Sequence, residues 1–259
     1  MNALIFDCDG VLADTELHGH LVAFNRMWSE LGVPWHWSEA EYAEKLKIGG
    51  GKERMARVLD EPAFQAVYHA PEDAAGRKEL LATWHARKTA ILQDIIAGGA
   101  VPGRPGIRRL SEEALRGGWK LAVASTSARP SVVAVLQHAV GEATAGQFTV
   151  FAGDIVPQKK PAPDIYLLAL KELGLRAEDC VVVEDSRNGL LAANAAGIRT
   201  IVTTSYFTTK EQFDEAVLVV DSLGDPGSPD ITVVANRTGY KIGPYITLGD
   251  LKGIVDKQG

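Results

Sequence analysis

The sequence predicts an α/β protein: a parallel sheet covered by helices on both faces, broken after its first strand by an inserted helical module. Two observations carry that reading. From Val101 onward, short apolar runs alternate with amphipathic helical stretches, the pattern of strand, crossover helix and parallel strand. Between the first apolar run and that point, residues 14–97 show helical periodicity without a convincing strand. The expected division is therefore residues 1–13 with 98–259 as the α/β part and 14–97 as the helical part.

The first strand is the apolar run from Ala3 to Phe6, closed by Asp7-Cys8-Asp9-Gly10. After it, Leu17, Leu21, Phe24, Trp28 and Leu31 recur at three- and four-residue steps, one face of a helix ended by Gly32-Val33-Pro34. Ser38 followed by Glu41 predicts a capping box opening a second helix to about Leu46. Gly49-Gly50-Gly51-Lys52 leads into a third through Met55, Val58 and Leu59, and residues 74–96 form a fourth. Pro102-Gly103-Arg104-Pro105-Gly106 reads as a hinge. Strands are then expected at 120–124, 149–152, 180–183 and 199–203, with helices at 107–116, after Pro130, after Pro163 and through Gly189 to Ala196. Beyond Ser205 the signal weakens, with candidate edge strands at 216–220 and 231–235 and a closing helix at 247–255.

Composition narrows the function. At 46% hydrophobic and 23% charged over 259 residues, with no apolar run near the length of a membrane span, the chain reads as a water-soluble globular protein. A net charge of −6 argues against a nucleic-acid binder, leaving a small anionic substrate open where cations concentrate locally. Asp7 and Asp9 interrupt any leader-like segment, so a cytoplasmic location is expected. The two cysteines, Cys8 and Cys180, lie beside apolar runs without zinc-site spacing and read as buried thiols. The oligomeric expectation is a monomer or weak homo-oligomer.

Parallel strands of one sheet carry their carboxyl ends to a common edge, where ligands of open α/β sheets bind. Asp7 and Asp9, Ser125 and Thr126, and Glu184 and Asp185 all stand at the ends of predicted strands. Lys160 is the clear cation at that edge. Carboxylates crowded together raise one another's pKa unless a cation neutralises them, and Mg2+ with oxygen ligands serves that need. In such a site Asp7 can act as carboxylate nucleophile and Asp9 as general acid and then base. Ser125 can donate to a phosphoryl oxygen, while Lys160 offsets charge gathering in the transition state.

Asp7-Cys8-Asp9-Gly10-Val11-Leu12, Ser125 at a strand end, Lys160-Pro161-Ala162-Pro163-Asp164 and Glu184-Asp185-Ser186 together resemble the four ordered motifs of the haloacid dehalogenase superfamily. An aspartate at the second acidic position resembles its phosphatase and phosphomutase branches. The resemblance covers about residues 3–205. It implies a doubly wound, Rossmann-like parallel core with a small all-α cap. It implies an aspartyl-phosphate on Asp7 and Mg2+ held by Asp7, the Asp9 carbonyl and Asp185, with Glu184 beside it. Lys47 to Arg54, Ala23-Phe24-Asn25 and Glu184 to Gly189 are similar to the CbbY-like subgroup, whose Calvin-cycle members dephosphorylate xylulose 1,5-bisphosphate.

Substrate choice then falls to the cap. Gly50, Gly51 and Lys52 at a helix start offer backbone N–H groups to a second anionic group, with Arg54 close by. Glu16 and His20 are further candidates, along with Thr126 in the core; His20 is equally readable as a helix-surface or core histidine. The expected activity is hydrolysis of a small sugar phosphate or bisphosphate. The alternatives are a phosphomutase of the β-phosphoglucomutase kind, which shares the Lys160-Pro161-Ala162-Pro163-Asp164-Ile165 stretch, and, remotely, a receiver-type signalling module.

Overall fold

The protein was studied as a computed structural model, which describes residues 1–256. It divides into two compact units, residues 1–14 with 102–259 and residues 15–101. Against the boundaries expected from sequence, Asp14 lies with the α/β unit and residues 98–101 with the helical one.

In the helical unit, a short π-helical turn at Glu16–His20 runs into α1 (Leu21–Glu30). Leu21, Phe24 and Trp28 form its buried stripe, but Leu31 lies past the helix end, is exposed and does not extend the stripe. The α2 helix (Glu39–Lys45) opens with the Ser38–Glu41 capping box: Glu41 N–H donates to Ser38 Oγ, and Ser38 N–H donates to Glu41 Oε2 at 2.8 Å. The α3 helix (Gly51–Val58), the one-turn α4 (Pro62–Gln65) and the long α5 (Ala74–Ala97) complete it. Its core is aromatic. Trp28 and Trp37 meet edge to face with centroids 4.6 Å apart, and Phe24, Tyr42, Phe64 and Trp84 close around them. Rings in such arrangements contribute beyond the area they bury.

The α/β unit holds β1 (Ala3–Phe6), α6 (Ile107–Arg116), β2 (Lys120–Ser125), α7 (Arg129–Val140), the short α8 (Glu142–Ala145) and β3 (Phe148–Ala152). Next come α9 (Asp164–Leu173), β4 (Cys180–Glu184), α10 (Arg187–Ala195), β5 (Arg199–Thr203), β6 (Leu218–Val220), β7 (Val233–Asn236) and α11 (Leu248–Asp256). The strand order is β3-β2-β1-β4-β5-β6-β7. All neighbours pair parallel except β6 and β7. The sheet is therefore mostly parallel, with one antiparallel edge strand. The β6–β7 pair is antiparallel, whereas the equally helix-free β5–β6 connection joins a parallel pair. Strand β1, made wholly of buried Ala3, Leu4, Ile5 and Phe6, sits inside the sheet between β2 and β4. The order reverses beside it, where α/β sheets open a crevice at their carboxyl ends.

Candidate active site

Register brings the site together. Phe6 pairs with Val123 on one side and Val183 on the other, so Asp7, Ala124 and Glu184 come next at one level across three strands. The ladder runs one step further, with Asp7 N–H donating to the Val183 carbonyl at 2.9 Å. Ser125 ends β2, and Asp185 lies just past the end of β4. The predicted core residues Asp7, Asp9, Ser125, Thr126, Glu184 and Asp185 thus all lie at the carboxyl edge.

Lys160 comes from the segment before α9 and places its Nζ against Asp7 Oδ1 at 2.7 Å, Glu184 Oε1 at 2.6 Å and the Ala124 carbonyl at 2.8 Å. Glu184 is enclosed. Its Oε1 also accepts from Tyr166 OH at 2.6 Å, and its Oε2 accepts from Asp185 N–H at 3.1 Å and Ser186 Oγ at 3.4 Å. Gly189 on the first turn of α10 gives this carboxylate its room, because a Cβ there would sit 2.0 Å from it.

Asp7, Glu184 and Asp185 each bring a carboxylate oxygen within 4.8 Å of the others, all three residues buried. Burial pushes Asp7 up from 3.8 to about 7, against the pull of Lys160 and with the help of Glu184 and Asp9. Asp185 is held well above the carboxylate range by burial, then by Glu184 and Asp7. For Lys160, burial is the largest single influence and acts downward, yet Asp7 and Glu184 together hold its ammonium well above 10.5. Burial and Glu184 keep the Tyr166 phenol protonated, so its hydroxyl is the donor to Glu184. Three carboxylates against one buried ammonium leave negative charge in surplus. An oxygen-only donor set with that surplus suits a hard divalent cation. Space is kept beside it as well: Gly10, at φ 76°, would carry a Cβ 2.1 Å from Asp185 Oδ2.

Two groups that the sequence did not single out complete the edge. Ser127 Oγ donates to Asp9 Oδ2, while Ser127 N–H donates to Ser125 Oγ at 3.1 Å. Arg104, expected only as part of a hinge, donates to the Gly10 carbonyl at 2.9 Å, the Thr204 carbonyl at 2.8 Å and the Asp221 carbonyl. Its own N–H reaches the Leu12 carbonyl at 3.0 Å. The run of one Arg among Pro and Gly was the visible signal; the partners lie far along the chain.

In the helical unit the structure joins Glu16 and Arg54 through Tyr42. The Tyr42 hydroxyl donates to Glu16 Oε2 at 2.5 Å and accepts from Arg54 Nη1 at 3.0 Å, and Arg54 Nε donates to the Ile48 carbonyl at 3.0 Å. Gly50 caps α3 at φ 96°, and Gly51 and Lys52 begin that helix. His20 is buried and its Nδ1 faces the Nζ of buried Lys88, whose ammonium also lies 4.7 Å from the centre of the Phe24 ring.

Residues 1–197 match the family model described as haloacid dehalogenase-like hydrolase. The chain belongs to that family. It is 46% identical over 225 residues to the CBBY-like protein of Arabidopsis thaliana, covering 87% of this chain and 70% of that one. With the plasmid protein CbbY of Cupriavidus necator it shares 44% over 235 residues, 88% of each. The crystal structure of Rhodobacter sphaeroides CbbY with phosphate superposes at a TM-score of 0.79 with 42% identity, covering 88% of this chain and 96% of that one. A crystal form of a variant of that CbbY, in complex with xylulose 1,5-bisphosphate, gives 0.77 at 41% identity, with coverage of 88% and 96%. These similarities place the chain in the CbbY-like subgroup and make it an enzyme of the phosphatase type. Among the described residues no helix is long and apolar enough to cross a membrane.

Proposed function

We propose that the protein is a Mg2+-dependent phosphatase that hydrolyses a small sugar bisphosphate, xylulose 1,5-bisphosphate or a close analogue, through a phosphoryl group carried on Asp7. The observation that carries this reading is the arrangement of Asp7. Its Oδ1 is bonded to Lys160, and among the described residues no hydrogen bond reaches its Oδ2, which leaves that atom as nucleophile. Similarity to a CbbY solved with xylulose 1,5-bisphosphate supports the substrate class.

Asp7 Oδ2 attacks phosphorus while Asp9, oriented by Ser127, gives its proton to the departing sugar oxygen. Asp9 then takes a proton from the water that attacks phospho-Asp7, which releases phosphate, frees the Asp7 carboxylate and returns Asp9 to its acid form. Ser125, whose Oγ accepts from Ser127 N–H, keeps its hydroxyl proton for a phosphoryl oxygen, with Thr126 beside it. Asp7, Asp185 and the Asp9 carbonyl would hold Mg2+, with Glu184 beside it; when bound, the ion offsets the negative charge of phosphoryl transfer. Selectivity is assigned to Glu16, His20, Gly50, Gly51, Lys52 and Arg54 of the helical unit.

The test is phosphate release across a panel of sugar mono- and bisphosphates. Turnover of a pentulose bisphosphate with Mg2+, lost on chelation, is expected; a flat response across the panel overturns the substrate assignment. The 25% identity to the β-phosphoglucomutase of Clostridium difficile, at a TM-score of 0.65, keeps a mutase as the second reading. Conversion of β-glucose 1-phosphate with a bisphosphate primer separates the two, and its absence removes the mutase.

A further inference from the structure

All three protons of the Lys160 ammonium are engaged, on Asp7 Oδ1, Glu184 Oε1 and the Ala124 carbonyl. One of these acceptors is shared, because the Tyr166 hydroxyl reaches the same Glu184 Oε1 at 2.6 Å. Tyr166 is fully buried on the first turn of α9, six positions beyond Lys160, and the centre of its ring lies 4.8 Å from Nζ. Phenylalanine would fill nearly the same space and keep the ring beneath the ammonium. The hydroxyl is therefore not required by packing; what it adds is one charge-assisted hydrogen bond to a carboxylate. Glu184 Oε2 is fixed separately by Asp185 N–H and Ser186 Oγ, so the Tyr166 bond acts on the oxygen that competes with Asp7 for Lys160.

We propose that Tyr166 is a positioning residue for the nucleophile: by sharing Glu184 Oε1 it holds Lys160 between Glu184 and Asp7, which keeps Asp7 Oδ1 bonded and Oδ2 presented for attack. This rests on the reading of Asp7 as nucleophile. Without the hydroxyl, Oε1 has Lys160 as its remaining partner. The ammonium moves toward Glu184, and the bond to Asp7 lengthens.

Tyr166→Phe in the full-length, Mg2+-loaded protein is the experiment, assayed on a sugar phosphate that the wild type hydrolyses. The expected result is a kcat about tenfold lower with KM unchanged and a melting temperature close to wild type. In a Glu184→Gln background the same change should cost nothing further, because the effect passes through that carboxylate. A crystal structure of Tyr166→Phe should show Nζ beyond hydrogen-bonding reach of Asp7 Oδ1. Wild-type kcat in Tyr166→Phe, full additivity with Glu184→Gln, or an unmoved Nζ overturns the proposal. A lower melting temperature with unchanged kcat per folded molecule also overturns it, marking Tyr166 as structural only. Should the wild type hydrolyse nothing on the panel, the phosphatase reading fails, and the Nζ–Asp7 distance alone then decides the positioning claim.

Discussion

The protein builds two polar clusters on opposite principles. In the helical unit, Glu16, Tyr42 and Arg54 put one carboxylate against one guanidinium with a phenol between them, so charge balances within the chain. In the α/β unit, Asp7, Glu184 and Asp185 face one buried lysine and outnumber it, and burial first, then the neighbouring carboxylates, push Asp7 and Asp185 upward. A balanced cluster is finished when the chain folds. An unbalanced one is destabilised until something positive arrives, and the structure tolerates it because the register of the sheet fixes three strand ends side by side.

The sharpest way to break this contrast is Asp7→Asn. Loss of the nucleophile should lower hydrolysis by at least about 10³-fold. Yet it removes one of three crowded negative charges, so at pH 8 without metal the variant should melt no lower than wild type. Calorimetry and steady-state kinetics on the same preparation check both halves, and a variant that stays active would undo the assignment of Asp7.

A second measurement titrates the surplus. With a folded-state value near 7 against an ordinary 3.8, Asp7 binds its proton more tightly in the folded chain. Its contribution is therefore fully stabilising below about pH 4 and is lost as pH rises through about 7. Metal-free protein should lose stability over that window. Ligation needs the carboxylates ionised, so the gain in melting temperature from Mg2+ should grow from pH 5 to pH 8. A gain independent of pH would mean that the cluster is not where the ion binds.

The smallest expected effect belongs to the balanced cluster. Tyr42→Phe removes the phenol oxygen that joins Glu16 to Arg54 and should destabilise the protein by about 1–2 kcal/mol. Its stability cost should be the same with and without Mg2+, with KM raised and kcat little changed. A Mg2+-dependent cost would show that the two clusters do not behave independently.

Much of the α/β unit was readable because continuous apolar runs such as Ala3–Phe6 and Cys180–Val183 announce buried parallel strands, and the polar residues that close each run mark the edge where a site can form. The same logic pointed to Asp7, Ser125 and Asp185, while Lys160 was expected from its place ahead of a helix; the structure brings all four to one edge. That logic could not find Ser127, Tyr166 or Arg104 as partners, because their bonds close between positions 118, 18 and 94 apart in the chain. The edge strand β7 was placed only roughly: Val233 and Val234 are exposed there, so no burial pattern pins its bounds. In the helical unit the capping box at Ser38 was legible from four residues. The Tyr42 bridge was not, since a tyrosine packed against Phe24 and Trp37 reads as core until its hydroxyl is located.

Arg104 gives the late part of the chain a share in the early part. The loop after β1 is synthesised before the residues that brace it, because the guanidinium that holds its Gly10 carbonyl also rests on the carbonyls of Thr204 and Asp221. A nascent chain that has not yet delivered those two residues has this loop without its full brace, and one stopped before Cys180 has β1 without its β4 partner as well. A fragment that stops short of Cys180 would thus carry Asp7 but neither the β4 neighbour of its strand nor the full brace of its loop.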